Sequence, residues 1–192
     1  MKTIKTMALA LIVSASLFQS CQPATDTTSK ISDDELANLK KIALQFASEN
    51  DSTTARLNKF DQLDFDVFSN QKWDRLKESH APNIKVYWPD GHVAVGIETH
   101  IEDLKKLFVH APDTRIKEHP IKFGSGKYTL VTGVFEGTFT KPMPIGGGKF
   151  IQPTGKAFKM PMATVGLWEN GVMIEEHLFW DNQTYATQIG LK

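Results

Sequence analysis

The residues best placed to do chemistry lie in the run Val172 to Asp181, VMIEEHLFWD. In an extended strand, alternation sends Met173, Glu175, His177, Phe179 and Asp181 to one face and Val172, Ile174, Glu176, Leu178 and Trp180 to the other. An imidazole titrates near neutral pH, and a carboxylate two residues away on the same face can share its proton. Glu175 with His177 therefore has the composition of a general acid–base pair. Asp181 has two readings: a third ionisable group at the strand end, or the N-cap of a short helix over Asn182 to Ile189. His177 also has two, a working residue in a pocket or a hydrogen-bonded core histidine.

Other chemistries find less support. His80, His92, His100, His110, His119 and His177 are scattered, with no H-x-H or H-E-x-x-H spacing to bring two onto one ion, so neither metal nor cofactor is expected. His110 and His119 flank a loop and read as surface residues. No G-x-S-x-G elbow occurs. Three glycines precede Lys149, but the strand-to-helix context of a phosphate loop is missing, and a hairpin tip fits the stretch better. Lys plus Arg equals Asp plus Glu at 22 each, which leaves no basic footprint for nucleic acid.

The chain holds one cysteine, which excludes an internal disulfide and a multi-thiolate site. Residues 1–20 supply a reason for it: Lys2 and Lys5, an apolar run from Met7 to Phe18, and the small Ser20 form an export signal. The segment Leu17-Phe18-Gln19-Ser20-Cys21 resembles a bacterial lipoprotein signal, although the position three before the cysteine is Phe18 rather than aliphatic. Lipidation of Cys21 would anchor the chain in the bacterial cell envelope, periplasmic or outer-membrane. Residues 21–32 then read as a flexible tether and residues 33–192 as one domain.

Within that domain, Leu36, Leu39, Ile42, Ala43 and Phe46 predict a first amphipathic helix from Asp33 to Asn50. Leu57, Phe60, Leu63, Val67 and Phe68 predict a second after Asp51-Ser52-Thr53, with Trp73 and Leu76 on a short continuation. Ala81-Pro82-Asn83 should break it. Ile84, Val86 and Trp88 alternate into a strand, Pro89-Asp90-Gly91 turns it, and His92 to Val95 returns. Ile97, Ile101, Leu104 and Phe108 share one face of a further helix. Four strands come next, over 115–123, 127–140, 158–168 and 172–180, the last two joined by Asn170-Gly171, a type I′ hairpin signal. Helices first and an antiparallel meander last define an α+β class.

Helices, then W-x-D-G, G-x-x-x-x-I-x-x-L and a closing ENG-V-M-I-E-E-H-L-F-W-D-N-Q-x-x-x-x-Q-I-G resemble the SnoaL-like polyketide or ester cyclases of the NTF2-like superfamily, over Leu57 to Leu191. The resemblance implies a cone of curved sheet wrapped by helices around an apolar cavity. It also implies an acid–base Asp on the last strand and an assisting His on the strand before it. Those positions are Phe179 and, nearby, Thr164, and neither side chain can move a proton from carbon. The expectation is therefore a cavity for a small, largely apolar molecule, with Glu175, His177 and Phe179 facing in, Asp181 at the strand end, and Trp88, Met162 and Phe179 as an apolar wall. Three functions are compatible with it: a cyclase, isomerase or hydrolase using His177 with Glu175 or Asp181; a binding lipoprotein without turnover; or a homodimeric module joined through the first helix or an exposed sheet face.

Overall fold

A computed structural model describes residues 31–191. Helix α1 (Asp33–Gln62) starts with a capping box: the Ser32 hydroxyl accepts from the Glu35 N–H at 3.2 Å, and the Glu35 carboxylate accepts from the Ser32 N–H at 3.1 Å. Asp33, Asp34 and Glu35 add negative charge at the positive end of the helix dipole. One helix runs where the sequence predicts two. Ser52, expected to be part of a new start, instead donates its hydroxyl back to the Ser48 carbonyl at 2.9 Å, a bond compatible with an unbroken helix. The first half of α1 is exposed, and its buried residue is Phe60, far along.

After Gln62 the helix widens into one π-type turn, Leu63–Phe68, in which the Ser69 N–H donates to the Asp64 carbonyl. This turn brings Leu63, Asp64 and Phe68 to one wall of the interior. A 3-10 turn, Trp73–Glu78, leads to β1 (His80–Tyr87) and β2 (Val93–Val95). Ala81-Pro82-Asn83 thus lies inside β1, where proline is accommodated by a register shift between His80 and Lys85. Helix α2 (Ile97–His110) buries Ile101, Leu104 and Phe108 as its periodicity requires.

The remaining chain is β3 (Arg115–Ile116), β4 (Lys122–Ser125), β5 (Tyr128–Thr138), β6 (Met143–Pro144), β7 (Phe150–Ile151), β8 (Ala157–Glu169), β9 (Val172–Phe179) and α3 (Asn182–Gln188). The main sheet runs β2-β1-β9-β8-β5-β3, with β4 also on β5. Pairing is antiparallel except between β1 and β9, which are parallel. The glycine-rich excursion is a small ribbon, β6 with β7. Asn170 and Gly171 have φ of 48° and 79°, the left-handed pair that a type I′ hairpin needs between β8 and β9.

One irregularity controls the interior. Trp168 pairs with Met173, but Leu167 pairs with Glu175, so Ile174 is an extra residue on β9. A bulge of this kind flips the side-chain parity beyond it. Met173 is fully buried, yet the next inward residue is Glu176, at 5% exposure, with Leu178 and Trp180 after it.

Candidate functional site

An inner cavity lies between the sheet and the helices. Its apolar wall includes Leu63, Phe68, Leu104, Phe135, Met162 and Leu178, and its polar side chains are Asp64, His80, Trp88, His100, Thr164, Glu176 and Trp180. About 50 Å³ of it is open to the centres of water-sized molecules, space for a few waters at roughly 10 to 15 Å³ each. Trp88, Leu107, Phe135 and Trp180 line both this cavity and a second, more open space of about 370 Å³ that is also lined by His92, Asp103 and Lys106. Those four side chains are the wall that the two spaces share. Trp88 and Trp180 meet edge to face with ring centroids 5.8 Å apart.

The cavity's polar end is built by three elements. His80 opens β1, His100 comes from α2, and Glu176 sits inward on β9 because of the bulge. Glu176 Oε2 is 3.4 Å from His80 Nε2 and 3.4 Å from His100 Nε2, and all three side chains are at most 6% exposed. On its other side, His80 Nδ1 lies 2.8 Å from Ser79 Oγ and 3.3 Å from the Leu76 carbonyl, to which the Ser79 hydroxyl already donates. Both neighbours can therefore accept, and the network assigns a proton to Nδ1. Nε2 then faces the Glu176 oxygen across one exchangeable proton.

Burial pushes the Glu176 carboxyl up, but the His80 hydrogen bond and the neighbouring imidazoles outweigh it and leave it below its ordinary value. Burial pushes the His100 imidazole down to about 4, against the pull of Glu176, so it is neutral at pH 7. Among the described residues, the buried polar side-chain atoms without a hydrogen-bond partner are His100 Nδ1 and Trp88 Nε1. Both residues line this cavity.

A second ionisable group enters from the π turn. Asp64 Oδ2 accepts from His119 Nε2 at 2.8 Å, while His119 Nδ1 donates to Asp61 Oδ1 at 2.8 Å. Two acceptor-only carboxylates on one ring hold His119 as the imidazolium. Burial disfavours that charge, but the Asp64 and Asp61 bonds more than compensate and raise it above the ordinary value. Burial dominates at Asp64 and raises its carboxyl despite His119. The His119 side chain is 1% exposed, which corrects the expectation of a surface residue, and His110 is buried too.

The residues expected from the sequence divide into two groups. Trp88, Met162 and Thr164 line the inner cavity. Glu175, His177 and Phe179 do not: they occupy the opposite face of β9, where His177 stacks on Tyr87 at 4.3 Å between centroids and lies 3.8 Å from the Glu175 carboxylate. Phe179 is 53% exposed. The expected inward set is corrected to Glu176, Leu178 and Trp180, and the reason is the Ile174 bulge. Asp181 caps α3, its oxygens accepting from the Gln183 N–H at 2.9 Å and the Thr184 hydroxyl at 2.5 Å. With His177 and Phe179 it borders an open depression on the outer surface. His80, His100 and Asp64 escaped sequence reasoning because they are far apart in the chain.

The curved sheet packed by helices places the chain among NTF2-like α+β folds. A SnoaL-like protein from Jannaschia sp. CCS1 superimposes with a TM-score of 0.64 at 21% identity, over 73% of this chain and 94% of that one. IdmH from Streptomyces antibioticus does so at 0.60 and 20%, over 70% and 98%. An NTF2-like protein of unknown function from Burkholderia pseudomallei K96243 gives 0.58 and 15%, over 71% and 98%. Likeness at these identities carries the fold alone. The chain belongs to the SnoaL-like polyketide cyclase family, whose model matches residues 61–189. No curated protein sequence matches it.

Proposed function

We propose that this chain is an acid–base enzyme of the cyclase, isomerase or hydrolase type, acting on a small, largely apolar molecule that carries a polar oxygen. The observation that carries the reading is the buried Glu176, flanked by His80 and His100 at the end of an otherwise apolar cavity in which His100 Nδ1 and Trp88 Nε1 lack partners. A buried charge with unsatisfied polar neighbours is expensive to keep for stability alone. Glu176, held low, is the proton acceptor, with His80 and His100 as its partners. Asp64, which accepts from the His119 imidazolium at 2.8 Å, is the second ionisable group on the cavity wall. The Trp88 indole N–H supplies a hydrogen bond to the ligand oxygen, and Leu63, Phe68, Met162 and Leu178 hold its apolar body.

The test is mass spectrometry of small molecules retained by the purified domain, in wild type and in Glu176→Gln and Met162→Trp. Wild type should retain a small apolar oxygen compound that Met162→Trp excludes by filling the cavity. Glu176→Gln should still bind it while abolishing its turnover. Retention unaffected by Met162→Trp would refute the cavity as the site.

Export and a lipid anchor at Cys21 are part of the proposal; both rest on residues 1–30, outside the described residues. No helix among the described residues is long and apolar enough to cross a membrane. A homodimer is favoured by one observation, the exposure of Leu36, Leu39, Ile42, Leu44 and Phe46 along the first half of α1. Leu39→Asp with Phe46→Asp should shift the sedimentation coefficient to that of a monomer. An unshifted value would remove α1 as the contact.

A further inference from the structure

We infer that His80, His100 and Glu176 form a binding site for one divalent transition-metal ion, with Zn2+ as the best-matched probe. The inference rests on the proposed role of this cavity and names the agent at its polar end. Both imidazole Nε2 atoms lie 3.4 Å from the same carboxylate oxygen, and all three donor atoms lie within 4.8 Å of one another. A charge-assisted N–H···O bond closes to about 2.7 to 2.9 Å, well short of that separation. Zinc bonds of about 2.0 to 2.1 Å to nitrogen and 2.0 to 2.2 Å to oxygen, arranged tetrahedrally, space their donors about 3.3 to 3.5 Å apart. At 3.4 Å the His80–Glu176 contact is a long hydrogen bond, and both nitrogen-to-oxygen spacings match the edges of a zinc tetrahedron.

Proton bookkeeping agrees. The Ser79 and Leu76 oxygens accept from His80 Nδ1, which leaves Nε2 to face the Glu176 oxygen. Something positive must lie between them, and a cation serves all three groups where a proton serves two. A backbone carbonyl and a hydroxyl on the far nitrogen of a ligating histidine are also what orients such ligands. The His100 ring lies within reach of the same oxygen. Two histidines and one glutamate leave a fourth position open, as in catalytic zinc sites. The partnerless Trp88 N–H on the same cavity is suited to hold an oxygen bound there. With the ion bound, Glu176 and the two imidazoles would hold it, and a water in the fourth position would take over the role of base that the metal-free site gives to Glu176.

The experiment is calorimetric titration of the metal-free, chelator-treated protein with Zn2+ alone, paired with the absorption spectrum of the Co2+ form. Wild type should bind one equivalent. Affinity should fall at least 100-fold in both Glu176→Gln and His100→Ala, each checked for folding by circular dichroism, and stay unchanged in His177→Ala. Co2+ should give visible bands of four- or five-coordinate intensity. Zn2+ binding that is absent, or equal in wild type and a folded His100→Ala or Glu176→Gln variant, would overturn the metal site. Should that occur while wild type retains an apolar ligand that Met162→Trp loses, the metal inference alone falls. If Zn2+ binds as expected while ligand retention ignores Met162→Trp, the metal site stands and the small-molecule reading falls.

Discussion

Replacing His119 by leucine isolates the bridge that holds Asp64 at the cavity wall. The imidazolium donates to Asp64 and Asp61 at 2.8 Å each, with side-chain exposures of 1% for His119, 10% for Asp64 and 28% for Asp61. Asp61 is open to water and retains Lys122, so its loss is small. Asp64 is not, and stripping one partner from a buried ion pair costs about 3 to 5 kcal/mol. Asp64 escapes part of that by taking up a proton, which its raised carboxyl already favours. A net loss of about 2 to 3 kcal/mol results, and for a domain of this size it lowers Tm by about 4 to 12 °C. Adding Asp64→Leu removes the orphaned acid and should recover much of it, a coupling of at least about 1 kcal/mol in the double-mutant cycle.

The pH dependence has a definite sign. A histidine whose folded pKa is raised contributes stability that is fully present below its unfolded value of about 6.5 and is lost as pH rises through the folded value. The Tm gap between wild type and His119→Leu should therefore be wide at pH 6 and narrow toward pH 9, measured by circular dichroism at fixed ionic strength. A gap that stays constant with pH, or a loss under about 1 kcal/mol, would show that His119 is not held charged between the two carboxylates.

Three further outcomes are expected. Gly171→Val should lower stability by about 1 kcal/mol or more in thermal melts, because φ is 79° there and a β-branched residue is strained in that region; an unchanged Tm would refute the turn geometry. His177→Ala, which unstacks Tyr87 on the outer face, should change Tm by less than about 3 °C and leave ligand retention intact, whereas Glu176→Gln should abolish turnover. Cys21→Ser should move the protein from the membrane to the soluble fraction or block its processing, and equal membrane recovery would refute lipidation.

The fold is legible because its signals are local. Ile97, Ile101, Leu104 and Phe108 repeat at helical spacing, and Asn170-Gly171 writes a hairpin in two residues; both hold in the structure. The helix boundary near Ser52 is not, because a serine caps a new helix or bonds back within an old one with equal local logic, and the tertiary context decides between them. Pro82 misleads in the same way, since a parallel strand with a register shift accepts a proline that a regular ladder would not.

The site is less legible because two displacements of single residues set its faces, and neither has a composition of its own. Leu63 to Phe68 reads as ordinary helix, yet the π turn there sets Asp64 on the cavity wall. In V-M-I-E-E-H-L-F-W simple alternation holds up to Met173; the extra residue Ile174 then exchanges the two faces, so that Glu176 rather than Glu175 goes inside. The adjacent acids make this stretch blind to its own register, since either parity presents one carboxylate to the core. What fixes the choice is the partner strand: Trp168 is fully buried opposite Met173 and donates its indole N–H to Thr129 at 2.7 Å, so the hairpin end is locked and the slack is taken up at Ile174. Only the histidines could have signalled the outcome, because Glu176 alone finds His80 and His100, and those two lie far back in the chain on β1 and α2, a pairing that the topology creates and no spacing rule encodes.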